Sequence, residues 1–291
     1  MKKFKQKLIL AFLTVFTFLS QPCHAFFFKK HKPVNTFSLS KLLENMEQYK
    51  TTNREFHEGN LKQHSIWTAQ AVKMFFATED SWCNGLDEQD EKILVTAALL
   101  HDVGKGGDLE FNYELKPFHE IWSMNCSLSK TPYYLNEKDI FDFNAMFKTL
   151  RFTKEEQKLV TLLVGAHSEF GEIVKHTKLK DLKDPKQTVL CNHLKSLLKT
   201  LILLTQIVDY DKEKIDSKLI KMLALLTAAD IKGSQPVYCK LPLKIGDIEI
   251  ETDEKNTPSA KKNSNYDKLG YEIKGKKIRK QLLAIFEDSQ K

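Results

Sequence analysis

Apolar residues recur along most of this chain every three to four residues, which is the period of an amphipathic α-helix. The pattern predicts helices over 36–49, 60–77, 90–101, 118–128, 138–150, 154–167, 187–208, 214–231 and 273–287. Thr153 and Glu156 fit a capping box at one of the predicted starts. Gly104 and Gly106 predict a helix end after residue 101, because glycine tolerates positive φ. The sequence therefore predicts an all-α protein.

The last fifth of the chain departs from this helical period. Residues 237–243 and 248–251 predict a short β-hairpin around Gly246. Residues 253–266 are polar and predict a long surface loop or a disordered segment. We divide the chain into four parts: a signal peptide (1–25), a basic-aromatic connector (26–35), a helical domain (36–234) and a C-terminal extension (235–291), which comprises the hairpin, the polar loop and a basic helix.

The N-terminus has the three-part layout of a secretory signal peptide. Four lysines precede an apolar run over 8–19, and small residues lead to an expected cleavage after Ala25. This pattern predicts export to the periplasm or the medium. The alternative is an uncleaved N-terminal membrane anchor, although the run is shorter than the ~20 residues that span a bilayer. Membrane contact is expected only through this segment, if it stays uncleaved.

Charge and cysteine content narrow the possible functions. Removing residues 1–25 takes away four lysines and no acids, so the net charge falls from +7 to +3. A charge this small gives no support for nucleic-acid binding. Cys83, Cys126, Cys191 and Cys239 remain, with no CxxC spacing, which argues against a cysteine zinc site. After export they would form zero, one or two disulfides.

The most informative stretch is Leu-Leu-His-Asp-Val-Gly-Lys at 99–105. An apolar run over 93–100 leads directly into His101 and Asp102, so both side chains are expected at the edge of a buried core. Burying an imidazole beside a carboxylate is unfavourable unless another group pairs with them. A divalent metal ion is a partner that suits both, which makes this pair a candidate metal site.

Further candidate ligands stand on other predicted helices. His64 lies in the helix over 60–77, His119 follows Pro117, His167 ends an apolar helix, and Asp230 closes an Ala-Ala-Asp sequence. The ordered series His, His-Asp, His, His, Asp resembles the HD-domain metal-dependent phosphohydrolase superfamily over about 60–234. The resemblance implies an all-α HD-domain helical bundle, here with a small C-terminal hairpin-plus-helix extension.

The resemblance also implies roles for individual residues. One metal would be held by His64, His101, Asp102 and Asp230, and Asp102 would bridge to a second metal bound by His119 and His167. Asp102 would also accept a proton, and Lys105 would contact a substrate phosphate. Glu120 and Glu169 would orient ligand histidines, with plain surface carboxylates as the alternative, as a solvated lysine is for Lys105. Imidazole and carboxylate ligands suit one or two ions of Mn, Fe, Co, Ni or Zn.

The function implied is hydrolysis of a phosphomonoester or phosphodiester by metal-activated water. The substrate would be a nucleotide or another small phosphorylated molecule. The Ser-Glu-Phe-Gly sequence after His167 departs from the cyclic-diguanylate phosphodiesterases of the superfamily and disfavours that substrate. The alternative is an exported, non-enzymatic HD scaffold that binds a ligand or a partner. The sequence leaves the metal, the substrate and the oligomeric state open.

Overall fold

The computed structural model describes residues 34–36, 38–49, 59–106, 119–130, 132–135, 139–184, 187–237, 242–245, 247–250 and 271–290. The predicted signal peptide, nearly all of the predicted connector and the polar stretch over 253–266 lie outside the described residues. Within the described ranges, every helix is too short or too polar to span a bilayer.

Helices form most of the described chain, which confirms the all-α prediction. Their bounds are Leu39–Glu47 (α1), Leu61–Ala77 (α2), Glu88–Leu100 (α3), His119–Ser127 (α4), Phe143–Thr149 (α5), Lys154–Ala166 (α6), Glu169–His176 (α7), Thr188–Val208 (α8), Ser217–Lys232 (α9) and Lys276–Ser289 (α10). Short 3-10 turns cover Ser81–Cys83, Val103–Lys105, Asp181–Lys183 and Lys212–Lys214, and a π-helical turn, Tyr271–Gly275, precedes α10.

Side-chain caps set the starts of the helices that carry candidate ligands. Asn60 accepts a hydrogen bond from the backbone of Gln63, and the Gln63 side chain accepts one from the backbone of Asn60. The predicted capping box at Thr153 and Glu156 is confirmed at the start of α6. Each cap satisfies backbone N–H groups that have no partner within the helix.

The centre of the bundle is α3, which packs against α2 and α6, while α9 packs across α2. Every residue over 93–100 is buried. A helix that is apolar on all sides is stable only when neighbours surround it, as they do here. The C-terminal end of α3 therefore delivers His101 and Asp102 into the interior of the bundle.

A small three-stranded sheet corrects one sequence prediction. Its strands are Val34–Thr36 (β1), Tyr133–Tyr134 (β2) and Asp139–Phe141 (β3), in the order β1-β3-β2, with β1 parallel and β2 antiparallel to β3. A helix was predicted to start at 138, and that start was wrong, because residues 139–141 form β3. The connector was predicted to run to residue 35, and residues 34 and 35 lie in β1. The Asp142 side chain accepts a hydrogen bond from the Ala145 N–H at 2.9 Å, which caps a helix that starts only at residue 143.

The C-terminal extension contains a hairpin and a helix, but the first strand of the hairpin was predicted over 237–243 and lies at 243–245. Leu243–Ile245 (β4) pairs antiparallel with Ile248–Ile250 (β5). Helix α10 packs on α8 and α9. The Arg279 guanidinium is buried and donates hydrogen bonds to the backbone carbonyls of Ser81 and Trp82. These contacts attach the end of the chain to the helical core, so the extension is part of the bundle's packing.

The two glycines after α3 do not adopt the positive φ that the sequence predicted. Gly106 has φ −94°, and positive-φ glycines in the described chain are Gly59 and Gly85. Gly104 instead permits a close approach, because a Cβ there would lie 2.6 Å from the backbone nitrogen of Ser123 in α4. That contact brings α4, which starts at His119, against the end of α3.

The described cysteines form no disulfide among themselves. Cys83, Cys126 and Cys191 are free thiols, and Cys239 lies outside the described residues. Burial raises the pKa of the Cys83 and Cys126 thiols to about 12, which keeps both protonated and unreactive at neutral pH.

Candidate metal centre

The fold brings all six predicted ligands together from five helices. His64 lies in the first half of α2, His101 and Asp102 follow α3, His119 begins α4, His167 follows α6, and Asp230 lies in the last turn of α9. Glycine contacts hold two of these elements close to the centre: Gly104 faces α4, and Gly233 after α9 faces α2. The ligands therefore converge because the helices that carry them pack around α3.

His64, His101 and Asp230 form the first ligand group. The Nε2 atoms of His64 and His101 are 3.1 Å apart, and Asp230 Oδ1 lies 3.0 Å from the first and 3.3 Å from the second. Asp102 Oδ2 is 3.5 Å from both Nε2 atoms. Donor atoms that share one ion at about 2.0–2.2 Å are separated by about 3 Å, so this spacing fits a single metal ion.

Asp102 also faces a second group of ligands. Its Oδ1 atom lies 3.1 Å from His119 Nε2 and 3.8 Å from His167 Nε2. The Glu120 carboxylate joins them, since the ligand atoms of His119, Glu120 and His167 all lie within 4.8 Å of one another. Asp102 thus presents one oxygen to each group, which is the position that a bridging carboxylate needs.

Backbone carbonyls determine which nitrogen of three histidines points into the cluster. The Nδ1 atoms of His64, His101 and His167 lie 3.0, 2.7 and 2.8 Å from the carbonyl oxygens of Gly233, Ala98 and Val164. A carbonyl oxygen only accepts hydrogen bonds, so each Nδ1 must carry the hydrogen. In the neutral rings, Nε2 then presents its lone pair to the cluster, as a metal ligand does.

Without metal, the cluster favours a protonated, positively charged imidazole at His64 and a neutral imidazole at His167. Burial opposes protonation of His64, but the carboxylates of Asp102 and Asp230 outweigh it and raise its pKa to about 9. Burial and the neighbouring His101 lower the pKa of His167 to about 4. Burial would raise the pKa of both aspartates, yet Lys105, His101 and His119 hold the pKa of Asp102 well below its usual range, and His101 and His64 do the same for Asp230.

These residues fit a bound divalent cation. Asp102 Oδ1 is buried and makes no hydrogen bond among the described residues, although His119 Nε2 lies 3.1 Å away. The Nε2 atoms of His64 and His101 lie 3.1 Å apart in the first group, a separation at which one cation, a proton or a metal ion, lies between them. An unsatisfied buried carboxylate oxygen is unfavourable without a cation to pair with it. The donor set of imidazoles and carboxylates suits a first-row transition metal.

The three other predicted site residues, Lys105, Glu120 and Glu169, lie at different positions around the cluster. Lys105 Nζ lies 2.5 Å from Asp102 Oδ2, at the partly exposed edge of the cluster. Glu120 Oε2 is 3.4 Å from His119 Nδ1, and its Oε1 accepts a hydrogen bond from Ser168. Glu169 makes no described contact with a ligand histidine; burial, Glu120 and Glu172 raise its pKa to about 7.

Solvent reaches the centre from one side. The side chains of His64 and His101 are 0% exposed, whereas those of His119, Glu120 and Asp230 are 17%, 22% and 20% exposed. The exposed ligand atoms therefore belong to α4 and to the end of α9, while the ligands from α2 and α3 are enclosed.

Comparison with known families supports the sequence resemblance. Residues 61–132 match the family described as the HD domain. The match spans α2 to α4 and includes His64, His101, Asp102 and His119. No curated protein and no solved structure matches the chain. The match covers about a quarter of the chain and supports the resemblance to the HD-domain superfamily, whose domain is typical of metal-dependent hydrolases.

The pKa of His64 gives a test of metal binding in solution. Without metal, a pKa of about 9 keeps His64 protonated at pH 7.5, and coordination through Nε2 must displace that proton. Binding of the ion held by His64 at pH 7.5 should release about one proton, and the apparent affinity for that ion should rise about tenfold per pH unit between pH 6 and 8. A pH-stat titration measures the release, which His64→Gln should abolish. Binding without proton release would contradict the assignment of His64.

Proposed function

We propose that this protein is a metal-dependent phosphohydrolase that cleaves a phosphomonoester or phosphodiester of a nucleotide or another small phosphorylated molecule. The observation that carries the proposal is the position of Asp102 between two groups of ligand atoms, one made by His64, His101 and Asp230 and the other by His119 and His167. Paired metal positions are a recurring arrangement in enzymes that act on phosphate esters.

The ligands would divide between two ions. His64, His101, Asp102 and Asp230 would hold the first, and Asp102, His119 and His167 would hold the second, with Glu120 as an additional oxygen ligand. Bound divalent cations would lower the pKa of a coordinated water towards neutrality and offset the negative charge of the phosphoryl group.

The chain's own side chains provide the other requirements of the reaction. Lys105 neutralises part of the charge of Asp102 and, at the cluster's edge, can donate a hydrogen bond to a phosphate oxygen. Asp102 stays deprotonated because its pKa is held well below its usual range, so its carboxylate is available to bind the cations and to accept a hydrogen bond from a coordinated water. The buried His64 and His101 rings close the inner side of the site to bulk water.

The test is hydrolysis by protein freed of metal with a chelator and reloaded separately with Mn, Fe, Co, Ni or Zn. We expect turnover of p-nitrophenyl phosphate, bis-p-nitrophenyl phosphate or a member of a nucleotide panel that depends on the added ion. The stripped protein is the control and should be inactive. Protein that binds metal yet hydrolyses none of these substrates would contradict the proposal and favour the non-enzymatic HD scaffold.

A further inference from the structure

A groove runs between α7 and α8 and ends beside the candidate metal centre. Its cavity volume is about 350 Å³, and its walls are formed by successive turns of the two helices. Ile173 of α7 and Leu197 of α8 are buried and form the apolar floor, while Glu172, His176 and His193 form a polar rim. The volume lies at the lower end of the range of small-molecule sites, and the rim is more polar than in most of them.

Glu169 connects the groove to the centre. It lines the groove and is separated from the candidate ligand His167 by a single residue, Ser168. Ser168 Oγ donates a hydrogen bond to Glu120, at 3.1 Å, and the Glu120 and Glu169 carboxylates repel each other. One end of the groove therefore opens next to the second ligand group, and the groove leads away from it along α7.

The groove is suited to an organic group and not to a phosphate. The residues that line it include no lysine or arginine, and two of them are glutamates. The Glu172 carboxylate is already bound by His176 Nε2 at 3.1 Å and by Lys175 Nζ at 3.2 Å. An apolar floor with hydrogen-bonding groups on its rim favours an uncharged, ring-bearing group of the size of a nucleoside.

We propose that the groove between α7 and α8 binds the organic part of the phosphate ester, an uncharged ring-bearing alcohol of nucleoside type, while the ester phosphate lies at the metal centre. This inference rests on the proposed function for the identity of the reaction. The inference adds two points to the proposed function. It states on which side of the metal centre the alcohol leaving group lies, and it names the groove residues that determine which alcohol is accepted.

A bulky residue on the rim tests the proposal. Ser196 lines the groove and is exposed, so Ser196→Trp should block the groove without disturbing the core. The matched control is Asn192→Trp, one turn earlier on α8, which is exposed and does not line the groove. We expect Ser196→Trp to lower kcat/KM for adenosine 5′-monophosphate at least tenfold. The same variant should change kcat/KM for ethyl phosphate less than twofold and should contain as much bound metal as the parent.

Binding of adenosine alone gives a measurement that does not require turnover. Calorimetry on the metal-loaded protein should show binding that Ser196→Trp removes, that His193→Ala weakens and that Asn192→Trp leaves unchanged. If all substrates stay inert while this binding pattern holds, the proposed reaction fails and the groove assignment survives. Equal losses for both phosphate esters in Ser196→Trp, or no difference between the two Trp variants, would overturn the groove assignment.

Discussion

Replacing Asp102 by Asn should lower metal-dependent turnover by a factor of 10³ or more, which corresponds to about 4 kcal/mol of transition-state stabilisation. Asp102 presents one oxygen to each ligand group, at 3.5 Å from His64 Nε2 and 3.1 Å from His119 Nε2. An amide has nearly the same shape, but it carries no charge and one of its two atoms cannot coordinate a cation. The variant should therefore lose bound metal together with activity.

The measurement is kcat/KM with p-nitrophenyl phosphate, alongside elemental analysis of the purified variant. Asp209→Asn is the matched control, because the Asp209 side chain is 94% exposed and lies away from the cluster. The amide at position 102 would leave Lys105 without its partner, at a cost of about 1–3 kcal/mol, so circular dichroism should verify folding. A folded Asp102→Asn protein with more than a tenth of the parent activity would exclude Asp102 from the reaction.

Gly233→Ala should lower the free energy of unfolding by about 2–3 kcal/mol and weaken metal binding about 10–100-fold. A Cβ at this position would lie 2.5 Å from the backbone nitrogen of Thr68, and neither backbone can move without separating α9 from α2. The Gly233 carbonyl accepts the hydrogen bond from His64 Nδ1, so displacing it would also release the ring of a candidate ligand.

Gly165→Ala is the matched control for this substitution. Its Cβ would meet the flexible end of Met124, with the sulfur at 2.8 Å, and alanine gains about 1 kcal/mol over glycine within a helix. We expect the free energy of unfolding of this variant to lie within about 1 kcal/mol of that of the parent. Urea unfolding of the metal-free proteins and metal titrations supply both quantities. Similar values for the two alanine variants would show that the approach of Gly233 to Thr68 does not support the site.

Most of the helices and the His-Asp pair were predictable because their signals are local. The helical period, the capping box at Thr153 and the His-Asp pair at 101–102 are visible within short stretches of sequence. The ordered series from His64 to Asp230 was identified by its resemblance to the HD-domain superfamily, and helix α7 was not predicted. The sheet was missed because β1 pairs with β3 across about a hundred residues, and no local pattern specifies that pairing. The helical pattern over 138–150 also hid the Asp142 cap that divides it.

The supporting contacts of the site were harder to predict than its ligands. The Nδ1 bonds of His101 and His167 run to carbonyls three residues earlier, a contact that follows from a histidine at the end of a helix. The bond from His64 to Gly233 joins residues 169 positions apart and depends on how α2 packs against α9. The role of Glu169 in orienting a ligand histidine stays a prediction.

The central claim is that the clustered histidines and aspartates bind a divalent metal ion. Anomalous diffraction from crystals of the protein saturated with manganese tests it most directly. We predict a peak within about 2.0–2.3 Å of His64 Nε2, His101 Nε2 and the carboxylates of Asp102 and Asp230. Saturated crystals with no peak at this cluster would contradict the account.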